Sequence, residues 1–392
     1  MTGTAAADVL SAGRRAWLTA EESRLLDWGE RAADERGFGY LDAAGRIDAE
    51  QGHPLLVTAR MTYVFAQAAR RGRPSAAALR DHGVTALRES FADRRHGGWV
   101  SQLDRPDARK SGYDHVFVLL AAAAARGSGA DGVALFDEAA AVVLERFWRE
   151  GEGAIVDSFA ADWSDLEPYR GANANMHFVE AALAAWVATG DPLWLERALR
   201  VSARLIHRTA RSHGWRVVEH FDERWNELPE YNADRPADQF RPYGYLVGHS
   251  FEWARLLVQL ADALTRAGLV APDWLRESAV GLWKHGLAVG WSPDGLPGFV
   301  YSLDWNDRIV VDARLHWVAS EAAGAAAVLA GIQAPDAAEW GERIWTDIEE
   351  RFVDPVGSWH HELDASGRPA GTIWPGKPDL YHAYQAVITA QR

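Results

Sequence analysis

The chain has 392 residues, no cysteine, and 41 basic against 55 acidic residues, for a net charge of −14. The missing cysteine excludes a disulfide scaffold, a thiolate zinc site, an iron–sulfur cluster and a cysteine nucleophile. The acidity argues against a nucleic-acid partner, and 48% hydrophobic with 24% charged residues is a globular composition rather than a disordered one. Tryptophan, with 19 residues, outnumbers phenylalanine (13) and tyrosine (10), and there are 14 histidines. Tryptophan presents a flat apolar face and one N–H donor, which suits the C–H face of a sugar ring.

The N-terminus, MTGTAAADVLSAGRRAWLTA, has no basic start followed by an apolar run and a small-residue cleavage site, so a cytoplasmic protein is expected. No apolar run reaches the roughly 18 residues of a membrane span, so no membrane partner is expected. Helical periodicity is then predicted over 20–35, 54–71, 75–91, 114–126, 131–148, 175–189, 191–211, 249–267, 272–288, 312–331, 335–352 and 379–391. Between them lie clusters of Gly, Pro, Trp and Asp: HGGWVSQLD (96–104), GWRVVEHFDERW (214–225), WSPDGLPGFVYSLDW (291–305) and GSWHHELD (357–364). Their brief alternation reads as short hairpins, with turn pairs such as Asp294-Gly295 and Ser366-Gly367. They fall on every second helix connection, which places the elaborated loops on one side. There is no linker and no strict repeat, only a helix-pair rhythm of about 60 residues. One all-α domain over 1–392, an (α/α)6 barrel with short β-hairpins at one mouth, accounts for length and rhythm. A helical solenoid is the alternative.

Three histidines share one position in this pattern. His177, His249 and His382 each follow a Gly/Pro-rich break at the start of a predicted helix. In a barrel whose inner helices run the same way, those starts meet at one mouth. Glu252 and Trp253 follow His249 by three and four residues, Glu180 follows His177 by three, and Asn173 precedes His177 by four, so each group can share a helix face. Asp379, His382 and Gln385 are spaced alike. A carboxylate beside a histidine fixes its tautomer, and a helix N-terminus favours the neutral ring, as a general base near neutral pH requires. Arg60 sits inside an apolar segment and either snorkels or points into a polar cavity. Tyr113 and His115 also enter an apolar helix. His360-His361-Glu362 invites a metal, but neighbouring strand residues point to opposite faces, and no metal motif is present. Phosphate-loop, dinucleotide and GxSxG motifs are absent.

The segments RMTYVFA (60–66), RGANANMH (170–177), EHFDERW (219–225), FRPYGYLVGHSFEWARLL (240–257) and WPGKPDLYHAYQA (374–386) resemble the N-acylglucosamine 2-epimerase superfamily, most closely its aldose–ketose isomerase branch. The resemblance runs from about residue 55 to the C-terminus. It implies an (α/α)6 barrel, no metal and no organic cofactor, and acid/base roles for His249 and His382. Arg60, Tyr113, Asn173, His177, Glu252 and Glu321 fall at positions like those of its substrate and support residues. Arg241 and Lys377 flank these motifs as ligands or loop anchors. The implied activity is interconversion of mannose and fructose through a cis-enediol(ate), with lyxose and xylulose as a second pair. C2 epimerisation and sulfosugar isomerisation are alternatives within the family. A glycoside hydrolase using Asp304, Asp307, Glu227 or Glu230 is a rival on the same barrel, and a non-catalytic sugar-binding protein is another. The partner expected is a monosaccharide, with the chain a monomer or homodimer. Of the tryptophans, Trp148, Trp186, Trp194, Trp274, Trp283 and Trp345 are expected to pack between helices. Trp99, Trp225, Trp253, Trp305, Trp317, Trp359 and Trp374 are expected as pocket walls.

Overall fold

The computed structural model describes residues 10–392. Among them are twelve α-helices: α1 (Ala12–Gly29), α2 (Leu55–Arg70), α3 (Ala76–Glu89), α4 (Gly112–Ala125), α5 (Ala130–Val142), α6 (Ala172–Thr189), α7 (Leu193–Ser202), α8 (Val247–Arg266), α9 (Trp274–Gly290), α10 (His316–Gly331), α11 (Ala337–Asp347) and α12 (Tyr381–Ala390). The even-numbered helices form a closed inner ring. Each packs on the next, and α12 returns to α2. The odd-numbered helices lie outside, α3 on α2, α5 on α4 and so on, with α1 on α12. This is the expected (α/α)6 barrel.

The two rings differ because their sequences differ. Helix α4 reads GYDHVFVLLAAAAA and is buried on almost every face, as is α10 with its Ala and Gly run. Helices apolar all round belong in a core, and alanine lets two layers approach closely. Outer α7 buries only the stripe Trp194, Leu195, Ala198, Val201 and Ser202. Helices α5, α7 and α11 run on as wider turns over Val143–Phe147, Ala203–Ala210 and Ile348–Phe352, which is why periodicity carried the predicted ends further. Two boundaries correct the sequence reading. The first helix spans 12–29, not 20–35, because Glu30–Ala32 tightens into a 3₁₀ turn and Ala33–Asp34 enters a hairpin. Helix α10 starts at His316 rather than 312, because Arg314–Leu315 is a strand.

Connections from inner to outer helices are short, whereas those from outer to inner helices are long and gather at the N-terminal mouth of the inner ring. The long loops pair in succession around that mouth. Lys110–Ser111, entering α4, pairs with Ser158–Phe159; Tyr169–Gly171, entering α6, pairs with His220–Asp222. Tyr245–Leu246, entering α8, pairs with Ser302–Leu303, and Arg314–Leu315, entering α10, pairs with Glu362–Leu363. Each loop is thus hydrogen-bonded to the next, and Lys377 N–H, donating to Leu41 O, ties the last to the first.

The loops share a turn that the helix rhythm concealed. Residues 42–46, 222–226, 304–308 and 364–368 each begin with Asp, whose Oδ1 accepts the N–H four residues on, from Arg46, Asn226, Arg308 and Arg368. Their fourth residues, Gly45, Trp225, Asp307 and Gly367, all have positive φ. No helix among the described residues is long and apolar enough to cross a membrane.

Candidate active site

The first turns of the inner helices surround a cavity of about 560 Å³, open mouth included, a size usual for small-molecule clefts. Each inner helix contributes. Arg60 comes from α2, Tyr113 from α4, Asn173 and His177 from α6, His249 and Glu252 from α8, His316 and Trp317 from α10, and His382 from α12. The loops add Phe240, Tyr301, His361, Trp374 and Asp379.

Two histidines are held alike. His249 Nδ1 lies 2.9 Å from Glu219 Oε1, and His382 Nδ1 lies 2.9 Å from Glu321 Oε1. A carboxylate at Nδ1 accepts its hydrogen and leaves Nε2 as the free base, turned to the pocket. Trp317 lies between the two imidazoles, with ring centroids 5.4 Å from His249 and 5.7 Å from His382. Gly248 makes this possible: a Cβ there would come within 2.2 Å of the Trp317 ring.

Arg60 points into the cavity and does not snorkel. Its Nη1 donates to Asp379 Oδ2 (3.1 Å) and its Nη2 to the Tyr113 hydroxyl (2.8 Å). Its guanidinium lies over the Phe117 and Tyr381 rings. Burial raises the Asp379 carboxyl, but Arg60 more than offsets this and holds it below the usual carboxylate range.

Beneath the cavity lies a buried layer of charge. Arg255 donates from Nε to Glu321 Oε2 (2.9 Å), from Nη1 to Glu180 Oε1 (3.4 Å) and from Nη2 to Glu252 Oε1 (3.4 Å). Tyr381 and Gln385 also donate to Glu180, and His177 Nδ1 is 3.5 Å from it. Burial and the neighbouring Glu321 push Glu252 well above the usual carboxylate range, which favours its protonated form. Burial raises Glu180, yet its bonds from His177 and Tyr381 and the charge of Arg255 bring it down to about 2. His177, Glu180 and Glu252 cluster closely enough to hold a metal ion, as do Glu252, Glu321 and His382. The Arg255 guanidinium already occupies the space among the three carboxylates as their cation, so an ion would have to displace it.

His382, His177 and His316 are tuned toward the neutral form. Burial, the Arg60 charge and His316 lower His382 well below its usual 6.5. Burial, with the Arg60 charge adding to it, brings His177 and His316 down to about 4. A neutral base is competent above its own pKa, so a lowered pKa carries competence to lower pH. The acid limb of kcat/KM is therefore expected below pH 6.5. A limb centred above 7, measured across a buffered pH series, would contradict this.

Every site residue expected from sequence is here, with Glu321 directly behind His382 and the other nine on the cavity wall. The pairings differ in one respect. His249 takes its carboxylate from Glu219, in the long loop that enters α8; Glu252, its expected i+3 partner, turns to Arg255 and His177. His115 is structural: its Nδ1 meets Ser111 O and its Nε2 accepts from Trp99 N–H. Arg241 and Lys377 are loop anchors, bonded to Glu167 and Asp354. The hydrolase carboxylates lie outside the cavity. Asp304 closes a turn, Asp307 holds Arg216 and Tyr245, Glu227 faces His213, and Glu230 lines no part of the cavity. Of the seven candidate wall tryptophans, only Trp317 and Trp374 reach it. Trp99, Trp225, Trp305 and Trp359 use their indole N–H to fasten loops, and Trp253 is core. His316, His361, Tyr301 and Glu219 were missed as site residues. His316 and His361 carried the available signals, one a helix-initial histidine and the other in the HHE strand.

A barrel whose helix starts converge two carboxylate-backed histidines, an arginine and aromatic walls on one cleft has the acid–base layout of a sugar-converting enzyme. Comparison with known proteins narrows this. The family model described as N-acylglucosamine 2-epimerase (GlcNAc 2-epimerase) matches residues 37–386, and the chain belongs to that family. It is 49% identical to a D-mannose isomerase of Thermobifida fusca over 385 residues, covering 96% of this chain and 93% of that one. It is 47% identical to a D-mannose isomerase of Pseudomonas cannabina pv. alisalensis over 379 residues, covering 95% and 91%. A crystal structure of a D-mannose isomerase superposes with a TM-score of 0.88 over 99% of both chains at 24% identity, which speaks to the fold.

Proposed function

We propose that this chain, acting as a single catalytic domain, is an aldose–ketose isomerase that interconverts D-mannose and D-fructose. The observation that carries the chemistry is the pair of imidazoles with Nδ1 anchored and Nε2 free across one cleft. The relatives' shared activity supplies the substrate. The sugar binds as a ring, and a histidine moves a proton between the anomeric hydroxyl and the ring oxygen to open it. The C1 carbonyl so formed acidifies the C2 hydrogen. His382 Nε2 removes that proton, and the electron pair moves onto O1 as a cis-enediolate. Arg60 and the Tyr113 hydroxyl stabilise that oxygen, a contribution of about 3 kcal/mol per donor at such sites. Return of the proton to C1, with a proton shift from O2 to O1, gives the ketose. Delivery by His249 to the other face of C2 would give the epimer.

Neutral sugars fit better than sulfonated ones, because the cations near the cleft are already paired: Arg60 with Asp379, Arg241 with Glu167, Lys377 with Asp354. Incubation with D-mannose followed by NMR tests the reading, run with and without EDTA. Fructose as the main product at equal rates is expected. Glucose as the main product would replace isomerase with epimerase, and loss of turnover with EDTA, restored by a divalent ion, would overturn the metal-free scheme.

A further inference from the structure

His316 opens α10, and His361 immediately precedes the loop strand Glu362–Leu363. The isomerase chemistry uses neither ring, yet both are buried and both line the cleft. They stack on each other with centroids 3.9 Å apart and planes 29° apart, and His316 stands edge-on to His382 at 6.4 Å. Their hydrogen bonding fixes what they present. His316 backbone N–H donates to His361 O (3.1 Å), and the Nδ1 of the same residue lies 3.3 Å from that oxygen. With Nδ1 as the donor, His316 Nε2 is left as an acceptor. Neither ring nitrogen of His361 has a hydrogen-bond partner among the described residues, and the residue lines the cleft. Neutral imidazoles offer one donor and one acceptor each, which matches the two-way hydrogen bonding of a hydroxyl. Trp317 and Trp374, by contrast, offer the cleft apolar faces.

We propose that the stacked His316–His361 pair is the hydroxyl-reading wall of the cleft, binding substrate hydroxyls that take no part in the C1–C2 proton transfer. The proposal rests on the sugar-isomerase reading. It makes the two histidines specificity determinants, with His249 and His382 as the acid and base. A site built to hydrogen-bond a hydroxyl discriminates against the analogue lacking it, because its own polar groups are then left unpaired.

The test is a substrate–variant cycle. D-mannose, 4-deoxy-D-mannose, 6-deoxy-D-mannose and D-lyxose are compared by kcat/KM in the unaltered enzyme and in His316→Phe and His361→Phe, which keep a stacking ring but lose its nitrogens. His361→Gln, which restores an amide donor and acceptor, is the rescue. In the unaltered enzyme at least one analogue is expected to fall about tenfold or more below mannose. In the matching Phe variant that gap closes, because mannose loses efficiency mainly through KM. Gln at 361 reopens part of the gap. Equal analogue gaps in all enzymes would overturn the proposal, as would a loss confined to kcat. Absence of any mannose turnover in the unaltered enzyme would instead refute the isomerase reading, so the two failures are distinct. A merely structural role would lower all four substrates together.

Discussion

Replacing His382 with Asn is expected to lower kcat by about three orders of magnitude, within the range for loss of a general base. It should also abolish exchange of the C2 hydrogen with deuterated solvent. Asn is small enough for the site and keeps a donor toward Glu321 Oε1, the partner of His382 Nδ1. It has no titratable nitrogen at the position of Nε2. The fold should persist, because the ring is one wall of an open cleft and not a filler of the sealed core, so the far-ultraviolet circular dichroism should be unchanged. Mass spectrometry of mannose recovered from D₂O reads the proton abstraction directly, independent of product release. Turnover within tenfold of the unaltered enzyme, or persistent deuterium incorporation at C2, would remove His382 as the base.

The helical ring was readable because each inner helix carries its own periodicity and the long loops fall on alternate connections. That alternation alone places His177, His249 and His382 at one mouth. What escaped has a common cause: contacts between loops remote in sequence. Glu219 reaches His249 from thirty residues away, and no helical spacing indicates it. His361 is selected over His360 by strand alternation, but only the pairing of Glu362–Leu363 with Arg314–Leu315 shows which face is the cleft. The tryptophans misled for a related reason. Trp99, Trp305 and Trp359 lie beside site motifs, yet the loops that form the mouth need large side chains with a donor to fasten them, to Leu87 O, Pro229 O and Glu21 respectively. Proximity to a motif therefore marked the mouth rather than the cleft. The Asp-cornered turns were hidden because their fourth residue varies among Gly, Trp and Asp, while the constant part is the Asp and the positive φ.

Arg255→Met is expected to destabilise the protein by about 3–5 kcal/mol, the usual cost of removing one partner from a buried ionic group. The guanidinium is 1% exposed and is shared among Glu180, Glu252 and Glu321. Without it, carboxylates already taken out of water face one another with no cation between them. Methionine fills similar volume, so the loss reports charge rather than a cavity. Glu252→Gln is the contrasting change. Burial and Glu321 raise Glu252 well above the usual carboxylate range and favour its protonated form, and an amide is nearly isosteric with a protonated acid. Its carbonyl oxygen can still accept from Arg255 Nη2, and its NH₂ takes the place of Oε2, which has no protein partner. Stability should then change by less than about 1 kcal/mol, even though a residue on the cleft wall is altered and turnover falls. Guanidinium unfolding midpoints of the two variants decide the matter. A large loss for Glu252→Gln would mean that Glu252 is ionised and that Arg255 balances three negative charges, whereas a small loss beside a large one for Arg255→Met fixes the floor of the site as two carboxylates, one acid and one guanidinium. In that arrangement Glu321, which bonds both Arg255 Nε and His382 Nδ1, is the carboxyl group placed to stabilise the imidazolium formed when C2 gives up its proton.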